Sequence, residues 1–305
     1  MDRLEGMRQF VRVAELGSFS ALAQQMGVAR SAVTRQIAAL EAHLGTKLIA
    51  RSTRRLALTS AGADYLEKCR VILNLVDAAE SGVAAERHTP RGPIRVSLPL
   101  SFGRRYLSGP LLEFAQRHGE VSLDLDYADH HSKLIEEGID LAIRVTRQLA
   151  PGDVARKLGS SPVLVVAAPQ YLARHGEPAH PDELIHHECL AYTGTATPHR
   201  WSFLIGGRLQ GFEIRTRLQA NNGDALVQAA VAGFGLNAAP EFLVVDELAD
   251  GRLLRALAAF PLAELGIYGV LPGNRHIPHR VRVLLDFLAA QLGAAAPWQR
   301  GEPAT

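Results

Sequence analysis

Between residues 18 and 62 the apolar positions follow two helical periods in succession and then switch to alternation. After Ser18, with Ser18 and Ser20 as candidate caps, Ala21, Leu22 and Met26 give a short helix one apolar face, and Gly27 stands where that helix stops. A tight turn later, Val33, Ile37, Leu40 and Leu44 recur at spacings of four, three and four, which predicts a second helix with one buried stripe, closed by Gly45. Upstream, Leu4, Met7, Phe10, Val11 and Ala14 put residues 3–16 in a helix that completes a three-helix core. Downstream, two strand-like runs at 47–49 and 56–58 make a hairpin, and Thr59 can cap a long helix over 60–87. Leu66, Cys69, Ile72, Leu73, Val76, Ala79 and Val83 form a near-heptad stripe along it. Such a helix runs about 40 Å, more than one small head can cover, so a second copy is expected to cover the stripe. The competing reading is that the helix folds back on its own body.

The polar positions of the same stretch point to DNA. Arg30, Ser31, Thr34, Arg35 and Gln36 gather at the exposed N-terminal end of the second helix, the end that enters a major groove in a winged helix-turn-helix. Arg51, Arg54 and Arg55 crowd the hairpin tip, where a basic wing meets phosphate or a minor groove. Charge supports this split. The chain carries a net +2, but residues 1–58 hold nine Lys or Arg against four Asp or Glu, so a basic head precedes a mildly acidic body.

Residues 89–93, Thr-Pro-Arg-Gly-Pro, read as a hinge, and from Ile94 the pattern becomes short apolar runs alternating with helical ones, which argues for α/β layers. Strands are expected at 94–98, 121–127 and 140–145, with helices at 102–117 and 132–137. A second set begins with a strand at 163–168 and includes a helix at 223–232, a strand at 236–239 and a helix at 241–248. A strand at 267–271 and a helix at 278–292 then return to the first set. The Ala-rich, Pro-containing tail after Leu292 is expected to fray.

The residues Leu40-Glu41, Leu44-Gly45, Leu48, Arg51, Arg54 and Leu58-Thr59-Ser60-Ala61-Gly62 resemble the N-terminal signature of the LysR-type transcriptional regulators, with Ile49 and Ala50 where members commonly carry Phe and a polar residue. Three further phrases are similar to that family's C-terminal domain: residues 137–144 (EGIDLAIR), 169–172 (PQYL) and 232–236 (AGFGL). The resemblance implies an all-α winged helix-turn-helix head over 1–59, a dimerising linker helix over 60–88 and an α/β effector domain over 89–305. That domain would be bilobal and similar to type 2 periplasmic binding proteins, with one lobe at about 90–162 and 267–293 and the other at about 163–266. The family also implies that effector domains join homodimers into homotetramers, with half-sites on double-stranded DNA read by paired heads.

In such a domain a ligand sits where strand ends and helix starts from both lobes meet. This places Ser101, Phe102, Gly103, Arg144, Val145 and Thr146 on the first lobe, and Asn222, Gly223, Asp224 and Phe234 on the second. The free N–H groups of a helix starting near Ser101, with Arg104 and Arg147 nearby, suggest a small organic or aromatic carboxylate as effector. Ser101 and Asn222 can equally be read as helix caps.

Other chemistry finds little support. His186-His187-Glu188-Cys189 packs four metal-ligating types in a row, and His130-His131 adds two, but neighbours on a strand point to opposite faces and no zinc-site spacing occurs. No Walker loop, GxSxG elbow or GxGxxG after a strand is found, so no catalytic residue or cofactor is expected. No run of about 18 apolar residues occurs and the first ten residues are charged and amphipathic, which predicts a cytoplasmic protein. Two cysteines far apart fit a reducing compartment, and Cys69 reads as a packing residue. The runner-up is a solute-binding protein or enzyme of the same bilobal fold with an accessory head.

Overall fold

The computed structural model describes residues 2–50, 56–83, 89–129, 134, 137–273, 277–293 and 298, and its contacts divide the chain into two units, one of residues 1–89 with 133–139 and 274–279, the other of the remainder. The first holds α1 (Arg3–Leu16), α2 (Phe19–Met26), α3 (Arg30–Leu44), a two-stranded hairpin of β1 (Ile49–Ala50) and β2 (Ala57–Leu58), and α4 (Ser60–Val83). The Asp2 carboxylate caps α1 by accepting from the Leu4 and Glu5 N–H groups, and Ser18, not Ser20, caps α2 through the Ala21 N–H. Phe10, Val13, Leu22, Val33, Ile37, Leu40 and Leu48 make one buried core. Each such side chain contributes about 1.5–3 kcal/mol by leaving water.

Two expected core residues lie elsewhere. Leu4 and Met26 are exposed, and Val13 and Ala23, which the periodicity passed over, are buried instead. The stripe on α4 also divides. Tyr65, Leu66, Cys69 and Leu73 pack into the core of the head itself, whereas Ile72 and Leu75 face solvent. The described part of the stripe is therefore split between head core and surface, and the side chains of Ala79 and Val83, with residues 84–88, lie outside the described set. Cys69 is fully buried, and that burial pushes its thiol up to about 11, so it packs rather than reacts.

The second unit begins with β3 (Gly92–Leu98). It continues through α5 (Leu100–Phe102), a π-helical turn (Gly103–Leu107) and α6 (Ser108–Arg117), which together form one helical run, and then through β4 (Val121–Tyr127), β5 (Leu141–Thr146) and β6 (Val154–Ser161). Next come β7 (Val163–Ala167), α7 (Pro169–His175), β8 (Glu188–Tyr192), β9 (Arg200–Ile205), β10 (Arg208–Glu213) and β11 (Arg215–Ala220). The chain ends with α8 (Gly223–Val231), β12 (Leu236–Pro240), α9 (Glu241–Ala249), β13 (Leu254–Ala256), β14 (Leu265–Leu271) and α10 (His279–Gly293). Of the helix expected at 132–137, residues 132, 133, 135 and 136 lie outside the described set.

Two five-stranded sheets result, ordered β4-β3-β5-β14-β6 and β11-β8-β12-β7-β13. The chain leaves the first sheet after β6, builds the second, and returns through β14, which pairs antiparallel with both β5 and β6. This is the bilobal α/β arrangement. In the first sheet β3 runs parallel to β4 and β5, so the ends at Leu98, Tyr127 and Thr146 share one edge. In the second, β8 runs parallel to β11, which brings Tyr192 and Ala220 to a common edge. Ligands in open parallel sheets bind outside such carboxyl ends.

Candidate nucleic-acid interface and interlobe site

In the head, α3 buries Val33, Ile37 and Leu40 and leaves Arg30, Ser31, Thr34 and Arg35 exposed at its first turns. The N-cap residue is Ala29, and no side chain caps the helix. Its first N–H groups and the positive end of its dipole are therefore available to an anion such as a backbone phosphate. Thr34 donates to the Arg30 carbonyl one turn back in the helix. Gln36 is half-buried and its amide donates to the Asp2 carbonyl, so part of its hydrogen-bonding capacity is spent inside the head.

The hairpin hangs from α3 by one carboxylate. Glu41 is buried, accepts from the Leu48 and Ile49 N–H groups at 3.0 and 3.2 Å, and pairs with the Lys47 ammonium. Burial alone would raise its pKa; the bonds from Lys47, Ile49 and Leu48 outweigh that and hold it below the ordinary value. Thr59 completes the clamp by donating to the Lys47 carbonyl and accepting from the Gly62 N–H, which makes it the cap of α4. These bonds explain why the strands are shorter than the apolar runs at 47–49 and 56–58: the backbone of residues 47 and 48 is spent on Glu41 and Thr59 instead. Gly62 lies so close beneath β1 that a Cβ there would sit 1.9 Å from the Leu48 carbonyl oxygen. The tip residues Arg51, Arg54 and Arg55 lie outside the described residues.

In the second unit the carboxyl ends of the two sheets meet. The Ser101 hydroxyl donates to the Asp224 carboxylate at 2.8 Å, joining the start of the helical run after β3 to the start of α8. The Leu100 N–H donates to the Asp129 carboxylate at 2.9 Å. Burial first, and then the Asp129 charge, raise the Tyr192 phenol above its usual pKa, which brings the end of β8 into the field of a residue that follows β4. Arg147 follows β5 on the same edge; its surface is open to water, and nearby protein atoms lower its guanidinium pKa by desolvation. A guanidinium remains charged in proteins.

The other positions named for this site are used differently. Phe102 is fully buried, edge-on to Phe242 at 5.0 Å between ring centroids, and so belongs to the core and not to a ligand surface. Gly103 is there for packing, since a Cβ would meet the Leu98 Cβ at 2.8 Å. At Gly223 a Cβ would meet only the Leu243 Cδ1, the movable end of a side chain, so the constraint there is weaker. Arg144 donates to the Ser97 hydroxyl and the Ile143 carbonyl, tying β5 to β3, and Thr146 closes a local turn with Gln148. Asn222 caps α8 by accepting from the Ala225 N–H. Phe234 is exposed under the Arg217 guanidinium, 5.0 Å from its ring centroid. The anion seat expected at the helix start is also corrected: the Asp129 carboxylate of the chain itself already takes the Leu100 N–H.

Asp129 and Tyr192, not named from sequence, fall under the rule that singled out Ser101, because Asp129 follows β4 and Tyr192 ends β8, each at the carboxyl ends of the parallel strands of its own sheet. The His186–Cys189 run does not lie on one strand as expected: His186 ends a 3-10 helical turn over Pro181–His186, and of the four only Glu188 and Cys189 belong to β8. Cys189 and His187 are buried, His187 facing the Tyr171 hydroxyl at 3.3 Å, while His186 is exposed.

Comparison with known proteins decides what this geometry belongs to. Residues 4–63 match the model of the bacterial regulatory helix-turn-helix protein, lysR family, and residues 87–293 match the LysR substrate binding domain. The chain belongs to the LysR family. An HTH-type transcriptional regulator of Xanthomonas campestris pv. campestris is 35% identical over 297 residues, covering 96% of this chain and 86% of the relative. The HTH-type transcriptional regulator CrgA of Neisseria meningitidis serogroup C is 33% identical over 290 residues, covering 95% and 97%. Among solved structures, CrgA from Neisseria meningitidis, a LysR-type transcriptional regulator, superposes with a TM-score of 0.60 at 33% identity, covering 95% of this chain and 98% of its own. The full-length Vibrio cholerae virulence activator AphB gives 0.58 at 27%, covering 94% and 98%. The protein is a DNA-binding transcriptional regulator with a LysR-type effector-binding domain. Among the described residues no helix is long and apolar enough to cross a membrane.

The family signature can now be read as physics. Glu41 and Thr59 hang the wing, Gly62 admits the close approach of α4, and Asp140 accepts from the Arg95 N–H at 2.8 Å to set β5 beside β3. In the 232–236 phrase, a Cβ at Gly235 would lie 2.3 Å from the Glu188 carbonyl oxygen, so the turn into β12 passes directly over β8.

Proposed function

We propose that the protein is a cytoplasmic homo-oligomer that binds specific double-stranded DNA and changes its binding when a small molecule enters between the lobes. The observation that carries the DNA reading is the division of α3, with Arg30, Ser31, Thr34 and Arg35 outward at the end a major groove receives and Val33, Ile37 and Leu40 held in the core. Arg30 and Arg35 read base edges, Ser31 and Thr34 orient on the backbone, and Gln36 has a minor part because it is half-buried. Arg51, Arg54 and Arg55 supply sequence-independent attraction to phosphate. Dimers form along α4 through Ile72 and Leu75, which are exposed where the helix leaves the head core, and effector domains join dimers into tetramers.

The effector sits among Ser101, Asp129, Arg147, Tyr192 and Asp224. Arg147 suits a carboxylate, while Asp129 and Asp224 require donors, so the class supported best is a small acid that also carries hydroxyl or amino groups. Gel-shift of the full chain against fragments of its own genome tests the reading: a few fragments retained at salt that abolishes the rest support it, and uniform retention or none contradicts it. Light scattering tests the assembly. Ile72→Glu is expected to give monomers, whereas Leu73→Glu disturbs the head core, and an Ile72→Glu chain of unchanged mass would move the interface.

A further inference from the structure

Trp298 is buried to 2% exposure although it stands five residues beyond Gly293, the last residue of the family match. Its indole is enclosed by three rings, Tyr106 at 5.3 Å, Phe102 at 5.5 Å and Phe242 at 6.0 Å between centroids, each at 63–72° to it. Phe102 and Tyr106 come from the helical run after β3 in the first lobe, and Phe242 comes from α9 in the second. The walls of this box are themselves joined across the lobes: Phe102 meets Phe242 at 5.0 Å, the Tyr106 hydroxyl donates to the Phe242 carbonyl at 2.9 Å, and Arg105 pairs with Asp246. Edge-to-face rings of this kind add about 0.5–1.5 kcal/mol per pair beyond their buried area. The indole N–H has no acceptor among the described residues, and the contacts these residues give Trp298 are ring packing.

We propose that Trp298 is an internal latch: its indole fills an aromatic box with walls from both lobes and thereby opposes their separation. The box lies on the same helical run as Ser101, four residues before Arg105, so any motion of the lobes about the effector site must carry or break it. The latch does not depend on which effector is bound. Two lobes of a binding domain that move on ligation need an element with two arrangements, and a ring packed between walls from both lobes is such an element.

Hydrogen exchange on the full chain tests this. Trp298→Ala is expected to raise exchange on the order of tenfold in both Gly103–Arg117 and Glu241–Ala249, with α3 unchanged and with Trp298→Phe restoring most of the protection. A rise confined to one of the two segments makes Trp298 a packing residue of one lobe and overturns the latch, as does no change. Should Trp298→Ala fail to fold, Trp201→Phe leaves Trp298 as the sole indole of the two in the chain. A blue-shifted emission with slow acrylamide quenching is then expected, and emission and quenching like free tryptophan overturn the proposal.

Discussion

The two halves of this regulator build their sites in opposite ways. In the head, the residues proposed to meet DNA fall in one stretch, from Arg30 to Arg55, and among the described ones Arg30, Ser31, Thr34 and Arg35 are exposed on α3. In the effector domain, Ser101 and Asp224 meet from 123 residues apart, and several polar groups at the strand ends are engaged with one another. A DNA site must present charge and donors outward to a polyanion; an interlobe site can keep its polar groups satisfied until a ligand replaces them. On the function proposed above, the head would act as a fixed surface and the interlobe site as an exchange of partners.

The largest test of that contrast is steric. Gly62→Ala and Gly235→Ala each drive a Cβ into a backbone carbonyl, at 1.9 and 2.3 Å, with an expected cost of about 3 kcal/mol or more where the backbone cannot yield. Two calorimetric transitions are expected to respond separately. Gly62→Ala lowers the transition of the head and abolishes DNA retention, and Gly235→Ala lowers that of the effector domain. Equal loss in both transitions from either substitution would mean that the halves fold as one unit and that the contrast is overdrawn.

Glu41 gives the next effect. Its pKa is depressed in the folded head, so its contribution is fully present above the ordinary value of 4.5 and is lost as pH falls through the lower folded value. Glu41→Ala, which orphans two buried N–H groups, is expected to cost about 2–4 kcal/mol in urea denaturation at neutral pH. Glu41→Gln keeps an acceptor but removes the titration, and its stability is expected to vary less than wild type between pH 6 and pH 3. A wild-type head whose stability rises on acidification would reverse the sign and exclude Glu41 as the support of the wing.

Smaller effects are expected at the interlobe site. A panel of hydroxy and amino acids, screened by thermal shift, supplies hits for calorimetry, and Ser101→Ala and Asp224→Asn are each expected to weaken the best hit about tenfold, as loss of one charge-assisted hydrogen bond does. Unchanged affinity in both variants would place the effector away from the Ser101–Asp224 contact.

How far the sequence carried differed between the halves for a physical reason. α1 over 3–16, β4 over 121–127 and the Ser18 cap were legible because helix period, strand alternation and capping are local. Leu4 and Met26 misled because an apolar residue at the margin of a helical stripe need not be covered. The stripe of α4 was legible as apolar but not as divided, since periodicity cannot say whether the head or a second copy covers a given residue. Between 186 and 220 strands β8 to β11 were missed, although Gly206-Gly207, both at positive φ and set between two alternating runs, carried a hairpin signal. At the interlobe site Ser101 was placed by strand order. Phe102 was not, because which side of a helix faces the core depends on α9 and Trp298, more than a hundred residues away.

The central claim is that α3 reads base sequence while the wing supplies general affinity. Binding-site selection from a random DNA pool, carried out in parallel with wild type, Arg30→Ala, Arg35→Ala and Arg54→Ala, tests it most directly. The account predicts that Arg30→Ala or Arg35→Ala loses preference at particular base pairs, about 1–3 kcal/mol of discrimination each, and that Arg54→Ala retains the wild-type motif with weaker binding and a flatter salt dependence. Selected motifs identical to wild type in both α3 variants would contradict it.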